Sequence, residues 1–171
     1  MLTRTLGRSN IKVSAIGMGC WAIGGPFWKG ASPVGWSKVD DNESIRAIHR
    51  ALDLGITFFD TADIYGCGHS ERVLGQALAG KRDQVVIATK FGNMFDEVTK
   101  QGTGYNTDPN FIRQAVEGSL RRLNSDVIDL YQLHVKDVDL AHAAVVRDTC
   151  EELVTAGKIR WYGWSTDDAA S

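Results

Sequence analysis

The length, composition and charge of the sequence set the first limits. Its 171 residues are 43% hydrophobic and 23% charged, as in an ordinary globular domain. The net charge of −2 and the scattered Lys and Arg residues predict no nucleic acid or anionic membrane partner. No apolar run is long enough to span a bilayer, and the first residues resemble no signal peptide. The cysteines, Cys20, Cys67 and Cys150, fit neither a disulfide framework nor a paired zinc motif, so we expect a cytoplasmic protein without a metal.

The first forty residues predict a hairpin, a strand and a loop. Residues 2–13 contain two apolar stretches around a Gly-Arg-Ser-Asn turn, which is typical of a short hairpin. Residues Ser14–Gly19 form a short apolar segment that we interpret as the first strand of a sheet. Residues 20–40 are rich in Gly and Trp without periodicity, so we expect a long loop, of a kind that often carries function.

From residue 41 onward, helical and strand patterns alternate. The predicted strands are Ile56–Asp60, Gln84–Thr89, Val127–His134 and Lys158–Ser165. The predicted helices are capped by Asp41, Ser70 and Asp108, and a fourth covers roughly residues 141–156. Repeated strand–helix units predict a parallel α/β sheet, but these patterns alone do not separate a barrel from a doubly wound sheet.

The C-terminal residues have the pattern of a helix start. Ser165 and Thr166 precede the acidic Asp167 and Asp168, yet the sequence ends three residues later. About five strands are also too few for a closed eight-stranded barrel, which takes roughly 200 residues or more. We therefore expect residues 1–171 to be a single domain truncated at its C-terminus. Its open sheet edges predict self-association.

Four polar residues lie at the ends of predicted strands or shortly after them. Asp60 ends the strand ITFFD, Tyr65 lies in the loop after it, Lys90 follows QVVIAT, and His134 ends VIDLYQLH. Taken singly, the lysine, histidine and tyrosine are more often surface or packing residues. Taken together, three consecutive strands of a parallel sheet deliver them to one edge, where functional groups gather.

These four residue types suit the reduction of a carbonyl group. A tyrosine ordinarily has a pKa of about 10, and a neighbouring ammonium group lowers that value. An aspartate can orient the lysine, and a histidine can donate a hydrogen bond to a carbonyl oxygen. Such a site donates a proton but has no hydride, so a nicotinamide cofactor is required.

Several segments resemble the aldo-keto reductases. Residues 58–78, FFDTADIYGCGHSERVLGQAL, are similar to the signature of that family. VVIATKFG at 85–92 and DVIDLYQLHVKD at 126–137 resemble the segments that carry its lysine and histidine. The opening LGRSNIKVSAIGMGCWAIGG resembles the hairpin and first strand, and its glycines suggest the bacterial branch near the inositol-operon and general stress reductases.

The resemblance implies a fold, a cofactor and a set of roles. The fold is a (β/α)8 TIM barrel, here the N-terminal hairpin with about five strands and four helices. Tyr65 would donate the proton, Lys90 would be its cationic neighbour, Asp60 the partner of the lysine, and His134 the residue that orients the substrate carbonyl. The cofactor would be NADPH and the substrate a small carbonyl compound. The residues implied near the nicotinamide are Gly19, Cys20, Trp21, Asp60, Ser165 and Thr166.

Some interpretations remain open at this stage. The chain could be an inactive fragment or a regulatory cofactor-binding module, as in channel β-subunits, or another barrel enzyme such as a metal-dependent hydrolase. The loop tryptophans Trp21, Trp28 and Trp36 could line an apolar substrate pocket or serve only in packing. Four charged residues are expected on solvated helix faces: Arg121, Arg122, Glu151 and Glu152.

Overall fold

The computed structural model describes residues 1–136 and 138–167, which form alternating strands and helices. In chain order the strands are β1 (Thr3–Thr5), β2 (Lys12–Ser14), β3 (Met18–Gly19), β4 (Pro26–Lys29), β5 (Ser32–Gly35), β6 (Phe58–Asp60), β7 (Val86–Phe91), β8 (Asn93–Asp96), β9 (Gln101–Tyr105), β10 (Ile128–Leu133) and β11 (Ile159–Trp164). The helices are α1 (Asp41–Asp53), α2 (His69–Ala77), α3 (Pro109–Leu123) and α4 (Leu140–Thr155).

A five-stranded parallel sheet forms the centre of the molecule. Its strand order is β11-β10-β7-β6-β3, and the four helices connect successive strands. The order follows the chain from one edge to the other, as in part of a (β/α)8 barrel rather than a doubly wound sheet. The sequence prediction of five strands and four helices on a parallel sheet is confirmed.

The central strand β7 shows why this sheet forms. All six of its residues are buried, and the segment VVIAT before Lys90 is a continuous apolar run with β-branched residues. Such a run suits a strand that is covered on both faces. The main hydrophobic core lies between this sheet and the helices, and includes Phe59, Ile87, Phe91 and Tyr131.

The N-terminal hairpin is confirmed, and it attaches to the beginning of the sheet. β1 and β2 pair in antiparallel fashion. Ser14 and Thr57 exchange two hydrogen bonds, from the Ser14 amide to Thr57 Oγ1 at 3.1 Å and from the Thr57 amide to Ser14 Oγ at 2.9 Å. The first barrel strand is shorter than predicted, because only Met18–Gly19 of Ser14–Gly19 pairs with β6.

Two of the predicted helix caps are wrong. Asp40, not Asp41, caps α1, because its carboxylate accepts the Glu43 amide at 3.0 Å. Gly68 occupies the cap position of α2, and the Ser70 hydroxyl is instead buried, donating to the Cys20 carbonyl at 2.6 Å. The Asp108 cap with Pro109 in the first turn is confirmed.

The prediction of a long loop over residues 20–40 is wrong. The segment contains a single helical turn, Ala22–Gly24, and then the hairpin of β4 and β5. A second hairpin, β8 and β9, was not predicted, and the two join into a four-stranded sheet of order β5-β4-β9-β8. We call this sheet the cover sheet. Prolines and glycines within the strands hide the alternation, and the pairing of β4 with β9 joins segments far apart in sequence.

The described residues contain no helix that is long and apolar enough to cross a membrane. At the C-terminal end, Ser165, Thr166 and Asp167 follow β11 without helical structure. The predicted start of a helix at this point extends to Asp168, which lies outside the described residues.

Candidate active site

The side chain of Lys90 lies at the centre of the site. It leaves the C-terminal end of β7, is only 5% exposed, and so requires partners for its charge. Its ammonium donates to Asp60 Oδ1 at 2.7 Å and to the Thr61 carbonyl at 2.7 Å. Asp60 ends the neighbouring strand β6, in register with Ala88, so the sheet itself sets this contact.

The Tyr65 hydroxyl lies beside the same ammonium. The distance from Lys90 Nζ to the Tyr65 oxygen is 3.4 Å, which is long for a hydrogen bond, so the interaction is mainly electrostatic. The ammonium also lies 5.0 Å from the centre of the tyrosine ring. The tyrosine hydroxyl is therefore placed next to a positive charge that is itself held by a carboxylate.

His134 completes the group from the end of β10. Its ring meets the Tyr65 ring edge-on, with centroids 6.0 Å apart. Burial, together with the positive charges of Lys90 and Lys29, lowers the pKa of His134 from 6.5 to about 4. The imidazole is therefore neutral near pH 7. The structure thus brings the four residues Asp60, Tyr65, Lys90 and His134 together.

The residues implied near the nicotinamide lie in different environments. Gly19 is exposed at the end of β3 beside Asp60, and a Cβ atom built on it meets nothing within 4 Å. The Cys20 side chain is buried, and its amide and carbonyl are bonded to the Asp60 carbonyl and the Ser70 hydroxyl. Trp21 is 46% exposed. Ser165 and Thr166 follow β11, and the Ser165 amide donates to the Leu133 carbonyl at 2.9 Å.

A pocket of about 880 Å³ opens in front of Tyr65 and His134. One part of its wall is apolar and includes Phe27, Val34 and Ile64. Ser165 also lines it, which places this residue on the same cavity as the tyrosine and histidine. The volume lies within the range of small-molecule sites.

The three loop tryptophans do not share one role. Trp21 lines the pocket and packs against Tyr65, with ring centroids 6.1 Å apart. Trp36 lies edge-on to Trp21 at 6.3 Å and supports it from outside the pocket lining. Trp28 is part of β4 and is also absent from that lining. Of the three, only Trp21 lines this pocket, and whether the pocket binds a substrate stays a prediction.

Two residues near the site were missed at the sequence level. Asn93 is buried after β7, and its amide lies 3.4 Å from the His134 carbonyl. Lys29 lines the pocket from β4 and adds its charge to the environment of His134. Asn93 could have been found, because it closely follows the strand that carries Lys90. Lys29 gave no such signal, because its position depends on the cover sheet.

Arg122 was wrongly placed on a solvated helix face. Its side chain is 11% exposed, and its Nε donates to Glu71 Oε2 at 2.7 Å. Glu71 lies fully buried on α2, where its other carboxylate oxygen accepts the Thr89 hydroxyl at 2.6 Å. The helical spacing that predicts an exposed face ignores the crossing of α3 with α2. This crossing is close, because a Cβ on Gly75 would lie 2.6 Å from the Arg122 carbonyl.

Among residues 1–136 and 138–167, no group of three or more His, Cys, Asp or Glu side chains is arranged to hold a metal ion.

Comparison with known proteins identifies the family. Residues 15–171 match the Aldo/keto reductase family. The chain belongs to this family. Among its relatives, the aldo-keto reductase YhdN of Bacillus subtilis is 42% identical over 159 residues, which are 92% of this chain and 44% of that protein.

Solved aldo-keto reductases share its fold. The holo form of AKR11C1 from Bacillus halodurans is 36% identical with a TM-score of 0.84, over 98% of this chain and 51% of that one. An aldo-keto reductase from Klebsiella pneumoniae in complex with NADPH is 30% identical with a TM-score of 0.71, over 99% and 52%. The chain thus spans about half the length of the aldo-keto reductases that it matches.

Proposed function

We propose that this chain carries the proton-donating site of an NADPH-dependent reductase that converts an aldehyde or ketone to an alcohol. One observation carries the proposal. The ammonium of Lys90 is bonded to the Asp60 carboxylate and lies 3.4 Å from the Tyr65 hydroxyl, which faces the same pocket as His134. A tyrosine beside a buried cation is suited to releasing a proton, because the cation stabilises the phenolate that remains.

Each residue of the site has a separate proposed role in the reduction of a bound carbonyl group. Tyr65 transfers its hydroxyl proton to the carbonyl oxygen, and the Lys90 ammonium balances the negative charge left on the tyrosine oxygen. Asp60 and the Thr61 carbonyl fix the direction of the ammonium, since each accepts from it at 2.7 Å. A bound reduced nicotinamide supplies the hydride that the carbonyl carbon receives.

His134 is proposed to orient the carbonyl as a neutral hydrogen-bond donor. Its Nδ1 atom is buried without a hydrogen-bond partner. An unpaired buried N–H group is rarer in proteins than an unpaired acceptor, which places the proton of the neutral ring on Nε2. The pKa of about 4 keeps the ring in this neutral form at ordinary pH. His134 can then donate to the same oxygen that receives the proton of Tyr65.

The surface beside Asp60 fits the nicotinamide end of the cofactor. Gly19 leaves open space at the strand end, Trp21 offers a half-exposed ring, and Ser165 lines the same pocket as Trp21. Cys20 is proposed to shape the backbone at this strand end and to make no polar contact with the cofactor. Its side chain is buried, and its amide and carbonyl are already hydrogen-bonded within the protein. Thr166 is proposed as a further contact from the same end of β11. The relative from Klebsiella pneumoniae that binds NADPH supports the choice of cofactor.

The test is the replacement Tyr65→Phe, with NADPH oxidation measured in the presence of a small aldehyde. We expect the rate to fall by about 10²–10⁴-fold, as for removal of a general acid, while NADPH binding by fluorescence quenching is unchanged. The control is Tyr162→Phe, because Tyr162 lies on β11 and bonds to Glu151 on α4, away from the pocket. It should keep the wild-type rate.

Other outcomes favour the alternatives. An unchanged rate in Tyr65→Phe would exclude this residue as the proton donor. A wild-type chain that binds NADPH but reduces no carbonyl would point to a regulatory cofactor-binding module. A chain that neither binds NADPH nor reduces a carbonyl would be an inactive fragment.

A further inference from the structure

A small second hydrophobic cluster lies between the cover sheet and the loop that carries Tyr65. Its buried members are Phe27, Ala62, Ile64 and Cys67, separate from the main core. Tyr65 packs against it from the pocket side. The loop after β6 is thus held by the cover sheet as well as by the parallel sheet.

One side of the loop is fixed by direct contact of backbone with backbone. A Cβ atom on Gly66 would lie 1.8 Å from the Gly24 carbonyl oxygen, and one on Gly24 would lie 2.8 Å from the Tyr65 carbonyl carbon. Gly66 also has a φ of +60°, which favours glycine. The Tyr65 backbone therefore cannot move toward the turn that contains Gly24.

A second support for the loop comes from Lys100, in the connection between β8 and β9. Its ammonium donates to the Gly66 carbonyl at 2.9 Å, and the second donor to that oxygen, the His69 amide, is more distant at 3.3 Å. Bonds from a charged donor are stronger than neutral ones. The Lys100 backbone is anchored in turn, because its carbonyl accepts the Trp28 amide of β4 at 2.8 Å.

The connection that carries Lys100 is itself tied to the helices. Glu97 pairs with Arg72 of α2 and with Arg122 of α3, the latter at 3.1 Å. Arg122 is also the partner of the buried Glu71. The connection that carries Lys100 is therefore held by the cover sheet at Lys100 itself and by helices α2 and α3 at Glu97.

We propose that Lys100 is a positioning residue for Tyr65, acting through the Gly66 carbonyl. This inference rests on the proposed function of Tyr65 as proton donor. Without the bond, the Gly66 carbonyl loses its charged donor, and the tyrosine hydroxyl shifts relative to Lys90 and the bound carbonyl. A displacement of about 1 Å at a reacting group can lower a rate by about 10²-fold.

The experiment compares Lys100→Met, Lys100→Arg and the control Lys12→Met. Lys12 also donates a single hydrogen bond, to Thr5 Oγ1 at 2.7 Å, but in the N-terminal hairpin at the other end of the sheet. Because the chain has four tyrosines, ring ¹³C labels give four signals that Tyr→Phe variants can assign. This readout requires neither cofactor nor turnover.

We expect Lys100→Met to move the Tyr65 signal while those of Tyr131 and Tyr162 stay in place. The kcat for aldehyde reduction should fall by about 10–100-fold with little change in KM. Lys100→Arg should restore much of both, because it keeps a charged donor, and Lys12→Met should leave both as in the wild type. If Lys100→Met does not unfold cooperatively, Lys100→Gln replaces it, with a smaller shift expected from its neutral donor.

Each remaining outcome is decisive. An unmoved Tyr65 signal would overturn the inference whatever the activity. A moved signal with unchanged kcat would show that the position of the loop does not control the reaction, and would overturn it as well. A moved signal in a chain whose wild type reduces no carbonyl would support the positioning contact and reject the proposed function instead.

Discussion

The parallel sheet and the cover sheet hold the site in different ways. β7, at the centre of the parallel sheet, is buried over all six residues and lies against both neighbouring strands and the helices. In the cover sheet, β5 and β9 consist mainly of exposed residues, and the cluster beneath is small. The first sheet therefore depends on extensive apolar burial, while the second depends on a few specific side chains such as Lys100 and Glu97.

Because of this difference, the residues proposed for the reaction and the structure that holds the Tyr65 loop belong largely to different sheets. The four residues Asp60, Tyr65, Lys90 and His134 come from the ends of parallel strands or the loop after one, so their placement follows from the strand register. The cover sheet contributes pocket walls and holds the Tyr65 loop. Damage to the parallel sheet should thus affect the whole fold, and damage to the cover sheet should affect mainly the site.

The largest expected effect concerns the edges of the parallel sheet. Among residues 1–136 and 138–167, β3 and β11 each pair with a neighbour on one side only, and Trp161 of β11 is 42% exposed. Because unpaired edges with exposed apolar side chains promote association, we expect the 171-residue chain to self-associate. Light scattering should give a mass well above 18.7 kDa. Trp161→Lys should reduce that mass, whereas a sharp monomer peak for the wild type would contradict the prediction.

The next largest effect tests the buried ion pair of the helical layer. Arg122→Met leaves the carboxylate of Glu71 buried with the Thr89 hydroxyl as its remaining side-chain partner. Breaking a buried pair in this way typically costs about 3–5 kcal/mol of unfolding free energy. Urea denaturation measures the loss. The matched control is Arg121→Met on the exposed neighbour, where a change within about 0.5 kcal/mol is expected. If Arg122→Met loses as little unfolding free energy as Arg121→Met is expected to lose, Arg122 behaves as a solvated residue.

A third prediction uses the neutral state of His134. Its pKa is about 4 in the folded chain and near 6.5 when unfolded, so the unfolded chain takes up the proton first as the pH falls. Stability should therefore decrease from about pH 6.5 down to about pH 4, by about 3 kcal/mol in total, and be independent of this group above that window. The measurement is the unfolding free energy of the wild type minus that of His134→Asn as a function of pH. A constant difference would show that the histidine is not held neutral.

The sequence predicted the parallel sheet and the four residues at the C-terminal ends of its strands, because both depend on local patterns. A continuous apolar strand followed by a polar residue fixes where Lys90 and His134 emerge, and neighbouring parallel strands bring them together. Boundaries were less certain: Gln84–Thr89 was predicted, but the strand is Val86–Phe91, so Lys90 lies within it. Single-residue caps such as Asp41 failed because an adjacent aspartate fits the same pattern.

The cover sheet and the Arg122 ion pair could not be predicted in the same way. β4 pairs with β9 across more than seventy residues, and no local periodicity reports such a contact. Arg122 has an ordinary position on an amphipathic helix, and only the close crossing at Gly75 buries it. Lys29 and Lys100 gain their roles from this long-range pairing, so the sequence offered no signal for either.

The last prediction compares two buried phenylalanines, and the expected effect of replacing Phe27 on global stability is small. Phe59 lies in the main core at 0% exposure, and Phe27 lies under the cover sheet at 2%. Phe59→Ala should cost about 3–5 kcal/mol, the usual loss for a core phenylalanine. Phe27→Ala should cost only about 1 kcal/mol in global unfolding, because a part of the structure with its own small cluster can open separately. Hydrogen exchange should then speed up at the Trp28 amide, which is bonded to the Lys100 carbonyl, and stay slow along β7. Equal losses for the two variants would mean that the parallel sheet and the cover sheet unfold as one cooperative unit.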